Sequence, residues 1–391
     1  MSDTTTAPLQ GITIIDFSRL IAGPCATDLL ASLGARVIKV EGKEGDPMRL
    51  TRSKEAGGGP TAPTFAAFNV MKETIALDLK DPDDLAFAKR LCRSADVVVE
   101  AFRPGVMDRL GLGAEALRAE NPGLVYAGLS AFGASGPEQA RGGVDIVLQA
   151  ETGLMSVTGD ADQEPTKAGV PIIDAASGAL LSAGILAALL GRARTGQGDT
   201  VRTSMLDVGI FLQAQQYAEF LASDIVPPRV GNKAAYAAPA DVYPVADGQI
   251  VLSAHIVPHW KKLCAILGHP EWIEDPRFLT VKERVENRPA LNAALSEILM
   301  TESAAHWLAQ FDAAGITAGQ VKDYREVIAT PQVTANGAVV DASNVDGSPL
   351  RIIRPPLRFA GFDDRSLPRQ VRAIDADGAA LRAEFSLEAA Q

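Results

Sequence analysis

The feature that most constrains the fold is a regular alternation, from Ile12 to about Tyr126, of short β-branched runs with helical stretches. Strands of a parallel sheet are buried on both faces, so they read as continuous apolar runs joined by helical crossovers. Ile12 to Phe17 is a buried strand, Pro24 stands near a helix start, Ala26 to Leu33 is helical, Gly34 ends the helix and Val37 to Val40 is the next strand. One βαβ unit is therefore complete by Glu41. Further on, Thr74 to Leu79 is strand-like, Asp81-Pro82 opens a helix to about Ser94, Asp96 to Val99 returns as a strand, a helix is expected from Pro104, and Leu124 to Gly128 adds a strand. Val170 to Ile173 reads as a short extended piece running into an apolar helix. The turn-rich segment Arg192 to Gly198 then leads to a strand, Thr200 to Thr203, and a long helix from about Met205.

The alternation stops near Ile225-Val226-Pro227-Pro228, where a domain boundary is expected. From Gln249 to about Thr330 the pattern fits one or two strands with several amphipathic helices, and the tail around Pro355-Pro356 shows no domain of its own. A chain of 391 residues is long enough for two compact domains. The most apolar run, Ala175 to Leu190, falls short of the roughly 20 residues a bilayer span needs and is interrupted by Ser177, Gly178, Ser182 and Gly184, so it reads as a buried helix. Met1 to Pro8 lacks the basic and apolar regions of a secretory signal. Cys25, Cys92 and Cys264 are too scattered for a disulfide framework or a zinc cluster, and a reducing cytoplasm fits them best. A net charge of -11 disfavours nucleic-acid and anionic-membrane partners. An anionic small ligand then requires a few Arg and Lys to converge locally.

Familiar nucleophile motifs are missing. Ser130 sits in Gly128-Leu129-Ser130-Ala131-Phe132 rather than a G-x-S-x-G elbow, no Walker loop is present, and Gly111 to Ala116 lacks a dinucleotide fingerprint. His255, His259, His269 and His306 all lie in the second half without metal-ligand spacing, and no metal site is expected. Asp174 is the more informative carboxylate, since it stands directly before the small residues Ala175-Ala176-Ser177-Gly178. It reads either as a helix N-cap or as a nucleophile; a helix N-terminus favours an ionised carboxylate, and small neighbours leave room for an acyl group. The turns Ala140 to Gly143 and Gly133 to Pro137 could offer N–H groups to an oxyanion, and Lys80, Arg103 and Arg109 stand at element ends where an anionic ligand could be held.

The chain resembles the class III CoA-transferase family, which includes formyl-CoA transferases, succinyl-CoA-dependent dicarboxylate CoA-transferases and alpha-methylacyl-CoA racemases. The likeness runs over nearly the whole chain: Asp16 to Pro24, Leu33 to Glu41, Gly45 to Arg49, Phe68-Asn69, Ile75 to Lys80, Val99 to Gly105, Gly169 to Asp174, and Thr195 to Gly198. The resemblance implies that Asp174 is the catalytic nucleophile. It also implies that Leu20, Ala22, Leu77, Lys80, Phe102, Arg103, Arg109 and Met205 contact CoA. Gly42 stands where a basic CoA contact can occur, with Lys43 as a stand-in, and Ala101 replaces an Asn. The implied fold is a large Rossmann-like α/β domain over residues 1–224, completed by 331–391, with a smaller α+β domain and its linkers over 225–330. Two chains are expected to interlock as rings in a homodimer. CoA and acyl-CoA are implied as substrates, with no tightly bound cofactor.

Within that family, racemases use a His directly before an Asp some 30 residues ahead of the catalytic aspartate; here Val144 precedes Asp145, so proton exchange lacks its imidazole. The expected activity is therefore transfer of CoA between an acyl-CoA and a carboxylic acid, with racemisation and non-catalytic CoA binding as alternatives. The Gly-rich lid of oxalate-type enzymes is not evident between Val230 and Pro239. That favours another acid, such as a short dicarboxylate, with succinyl-CoA as a possible donor.

Overall fold

The computed structural model describes residues 6–52 and 59–387. The chain divides into two compact units, one formed by residues 1–154, 167–225 and 331–391, the other by 155–166 and 226–330. The large domain expected over 1–224 is unbroken, whereas in the structure residues 155–166 belong to the second unit. Arg229 donates to the carbonyls of Asp160, Ala161 and Gln163, and the Gly231 N–H to that of Gly159.

The first unit is built on six strands, β1 (Thr13–Asp16), β2 (Arg36–Glu41), β3 (Glu73–Ala76), β4 (Val97–Glu100), β5 (Val125–Ser130) and β6 (Thr200–Ser204). They pair in parallel in the order β3-β2-β1-β4-β5-β6. The order reverses between β1 and β4, which opens a crevice at their carboxyl ends. Successive side chains point to opposite faces. Thus Ile14, Val97, Val99 and Val125 pack with α1 (Ala22–Ser32) and α4 (Ile172–Thr195), while Ile15, Ile38, Val98 and Tyr126 pack with α2 (Pro82–Ser94) on the other side. Two further helices, α3 (Asp145–Glu151) and α5 (Met205–Phe211), stand at the crevice end.

Several local expectations change. β3 ends at Ala76, because Asp78 begins a turn closed by the Asp81 N–H at 2.8 Å. The helix expected at Pro104 starts at Val106 and lasts one turn, with Gly105 at φ 81° before it. Ile172 and Ile173 are already helical. The long helix from Met205 is two helices, α5 and Ala214–Ser223. The buried apolar helix is longer than expected: α4 has 24 residues and is long and apolar enough, by length and composition, to cross a membrane. One face, including Ile173, Gly178, Leu181 and Ile185, is packed within the unit, whereas Leu180 and Leu190 are exposed.

The second unit carries a three-stranded antiparallel sheet, β7 (Ala240–Val245), β8 (Gly248–Ser253) and β9 (Thr317–Gln320). It is covered by α6 (Val257–Ile266), α7 (Arg288–Leu299) and α8 (Ala304–Ala313), around Trp260, Phe278, Trp307 and Phe311. The buried Arg284 donates to the carbonyls of Ala238, Phe278 and His255. The C-terminal segment belongs to the first unit, with an antiparallel hairpin of β10 (Val339–Ser343) and β11 (Pro349–Ile353) followed by α9 (Gly378–Leu387). It lies along edge strand β3: Asp377 accepts from the Thr74 N–H and Asp375 from that of Ala76, both at 2.9 Å.

Candidate active site

A cavity of about 610 Å³ opens at the carboxyl ends of the parallel strands. It is lined by Arg19 and Leu20 after β1, Ala101 to Pro104 after β4, Leu129 to Ala131 at the end of β5, and Met205 at the start of α5. Asp174, on the first turn of α4, lines the same space, as do Arg141 to Val144.

The loop after β1 is held from beneath by buried charges. Asp16 accepts from the Ser18 N–H at 2.9 Å, from the Ser18 hydroxyl, from Thr27 Oγ1 at 2.6 Å and from Lys72 Nζ at 3.1 Å. Lys72 also reaches the Pro24 carbonyl, and Lys39 bonds the Ser18 carbonyl at 2.9 Å while pairing with Asp46 at 3.0 Å. Burial alone would raise the Asp16 carboxyl, but Lys72, Lys39 and the two hydroxyls outweigh it and hold it at about 2. This scaffold supports Leu20, half-exposed at φ 68°, in the left-handed region that a branched side chain seldom adopts. Gly23 allows the close approach of Ser18, since a Cβ there would collide with the serine side chain.

Asp174 is the third residue of α4 rather than its cap. The capping is done from another helix: Asp145 Oδ1 accepts from the N–H groups of Ile173 at 2.8 Å and Asp174 at 3.2 Å. Its other oxygen takes the amide of the buried Gln149 at 2.5 Å, and Gln149 Oε1 accepts from the Ala168 N–H at 2.8 Å. The expectation that the helix N-terminus favours ionised Asp174 is overridden. Burial first, and the charge of Asp145 second, push its carboxyl up to about 7. The α4 backbone lies tight against α1 beneath this turn, where a Cβ on Gly178 would stand 2.7 Å from the Ala22 carbonyl oxygen and 2.8 Å from Cys25 Cβ.

Of the residues expected to contact CoA, Leu20, Ala22, Phe102, Arg103 and Met205 line this cavity with Asp174. Leu77, Lys80 and Arg109 do not. Leu77 is buried in the core beside α2, Lys80 is exposed in the turn after β3, and Arg109 is exposed at the end of its one-turn helix. Lys43 is committed to Asp84 at 3.4 Å. The turn 140–143 reaches the cavity through Arg141, Gly142 and Gly143, while 133–137 does not line it. Arg141 and Arg19 went unread as charges for this site; Arg141 stacks on Phe132 at 4.5 Å and Arg19 on Phe102 at 5.3 Å. Their only sequence signal is a basic residue beside glycines or beside a strand end. Val144 lines the cavity, and all four histidines lie in the second unit.

The profile described as CoA-transferase family III matches residues 9–370. A probable fatty acyl-CoA transferase of Mycobacterium tuberculosis is 38% identical over 365 residues, covering 91% of this chain and 92% of that protein. The acetyl-CoA:oxalate CoA-transferase of Acetobacter aceti is 37% identical over 394 residues, covering 99% of each chain, and the succinate–glutarate CoA-transferase of Agrobacterium fabrum is 35% identical, covering 90% and 89%. Among solved structures, a CaiB/BaiF family protein from Brucella suis superimposes with a TM-score of 0.86 at 35% identity, covering 97% of this chain and 99% of that one.

Proposed function

Since the chain belongs to CoA-transferase family III and is a CoA-transferase enzyme, we propose that it moves CoA from an acyl-CoA to a carboxylic acid through covalent intermediates on Asp174. The observation that carries this reading is Asp174 on the wall of the crevice cavity, which the loop after β1 also lines. An Asp174 oxygen attacks the donor thioester carbon, the C–S bond breaks, and CoA leaves as the thiolate, giving a mixed anhydride. CoA thiolate then attacks the aspartyl carbonyl of that anhydride, releasing the donor acid and leaving an aspartyl-CoA thioester. The acceptor carboxylate attacks this thioester in turn, and the returning thiolate takes the acceptor acyl group from the new anhydride.

Leu20, Ala22, Phe102, Arg103 and Met205 are proposed to hold the thioester end of CoA. Lys80 and Arg109 are proposed to meet its phosphates farther along the strand ends, with Leu77 holding the β3 end in place. A short dicarboxylate is the proposed acceptor and succinyl-CoA the proposed donor, in keeping with relatives named for succinate, glutarate and oxalate. Two chains are proposed to form the interlocked dimer. Leu190, Phe211, Leu221 and Ile225, each more than 60% exposed, supply apolar surface that a second copy would cover. A cytoplasmic location accords with three free cysteines.

The test is Asp174→Ala assayed over a donor-by-acceptor matrix read by mass spectrometry, together with hydroxylamine or borohydride trapping of the wild-type adduct. Transfer should vanish in the variant and the adduct should map to Asp174. Full transfer by the variant would overturn the reading. α-Proton exchange without transfer would favour racemase chemistry instead.

A further inference from the structure

Two helices, α3 and α4, begin beside the cavity, and one carboxylate links them. Asp145 opens α3, yet its Oδ1 receives the N–H groups of Ile173 and Asp174 from α4. Gln149, one turn along α3 and 1% exposed, fixes the other Asp145 oxygen. Through its own oxygen it also ties down the Ala168 N–H in the segment that leads into α4. The backbone that carries Asp174 is therefore held by a side-chain relay from α3.

We propose that Asp145 is a positioning residue for CoA transfer, holding the first turn of α4 in place and setting its own charge against that of Asp174 in the free enzyme. This rests on the reading of Asp174 as nucleophile. When an Asp174 oxygen bonds to the thioester carbon, the negative charge departs on the CoA sulfur and the anhydride left on Asp174 is neutral. Repulsion from Asp145 is present before attack and absent after it, so Asp145 favours acylation over the resting state. The same relief applies at the aspartyl-CoA stage. A more basic carboxylate is also the stronger nucleophile, in keeping with an Asp174 carboxyl pushed up to about 7.

Other groups meet Asp174 as well. Cys25 faces it from α1, its thiol pushed up to about 11 first by burial and then by Asp28. Arg19, Arg103 and Arg141 line the cavity, the Arg141 guanidinium being paired with Glu138 and Glu151. Among the described residues, Asp145 is the carboxylate whose hydrogen bonds join it to the Asp174 backbone.

The full-length enzyme separates the two roles. Asp145→Asn keeps an oxygen that can accept from Ile173 and Asp174 but removes the charge and turns an NH2 toward the Gln149 amide. Gln149→Met breaks that same relay with the charge intact and so serves as its control, whereas Asp145→Ala removes both the oxygen and the charge. Adduct formation on Asp174 is followed in single turnovers by hydroxylamine trapping across pH, with kcat and KM for the acyl-CoA measured alongside. In Asp145→Asn the acid limb of the acylation rate should move to lower pH and the plateau fall about threefold to tenfold, with KM within about twofold. Asp145→Ala should lose about 100-fold in kcat, the size expected for a misplaced reacting group. Gln149→Met should lose less. An Asp145→Asn enzyme with the wild-type acid limb and plateau, or an Asp145→Ala enzyme changed only in KM or melting temperature, overturns the proposal. Should Asp145→Ala fail to fold, the Asp145→Asn profile decides alone. Wild-type trapping tells the two failures apart: an adduct on Asp174 with an unmoved acid limb sinks only the role of Asp145, and no adduct sinks both.

Discussion

Replacing Asp174 by Asn should stabilise the protein at neutral pH while abolishing transfer. The folded carboxyl is pushed from 3.8 to about 7 by burial and by Asp145, so the fold binds this proton more tightly than the unfolded chain does. Between those two values the unfolded state has already released the proton and the native state has not. Stability therefore falls as pH rises through this window, and the penalty is complete above about 7. At about 1.36 kcal/mol per unit the ceiling is roughly 4 kcal/mol. Asp174 is half-buried and borders an open cavity, so solvent screening reduces the expected gain to about 1–2 kcal/mol at pH 8. Asn removes the titration, and its advantage over the wild type should shrink toward zero near pH 4. The assay is thermal melting of both proteins at pH 4, 6 and 8, followed through the same transition because two compact units need not unfold together. A difference that is flat across pH, or an Asn variant less stable at pH 8, would refute the argument.

Lys72→Met leaves Asp16 buried without its closest cation, and should cost about 3–5 kcal/mol in urea unfolding. Because Asp16 holds the loop that bears Leu20, KM for acyl-CoA should rise as well; an unchanged KM would detach that loop from the buried network. Gly178→Ala pushes a methyl group to 2.7 Å from the Ala22 carbonyl oxygen and 2.8 Å from Cys25 Cβ, so α1 and α4 must move apart. A loss of about 1–3 kcal/mol is expected in the same denaturation assay, and a neutral result would mean that the two helices yield freely.

Much of the first unit was legible because its signals are local. Val97-Val98-Val99 is a short β-branched run suited to a strand buried on both faces, Asp81-Pro82 caps and starts α2, and Gly34 leaves α1 at φ 92°. The misreadings lie where long-range contacts decide an end. Val170 to Ile173 looks extended when read alone, yet Ile172 and Ile173 enter α4 because Asp145, 28 residues earlier, accepts the Ile173 N–H. Likewise, residues 155–166 carry no pattern that assigns them to the second unit. Arg229 does so by collecting their carbonyls.

Asp174 shows the division most clearly. An aspartate ahead of a small-residue helix, the strands and crossovers leading to it, and the short motifs that place the chain in its family can all be read along the chain. The carboxyl's acidity at that position depends on the folded surroundings. A pKa depends on which charges and how much solvent lie within a few ångströms, and folding sets those distances without regard to separation along the chain. Asp145 comes to the backbone of Asp174 from α3, and Lys72 comes to Asp16 from 56 residues away. Each pair is invisible to periodicity and spacing, and each shapes the cavity in which Asp174 stands.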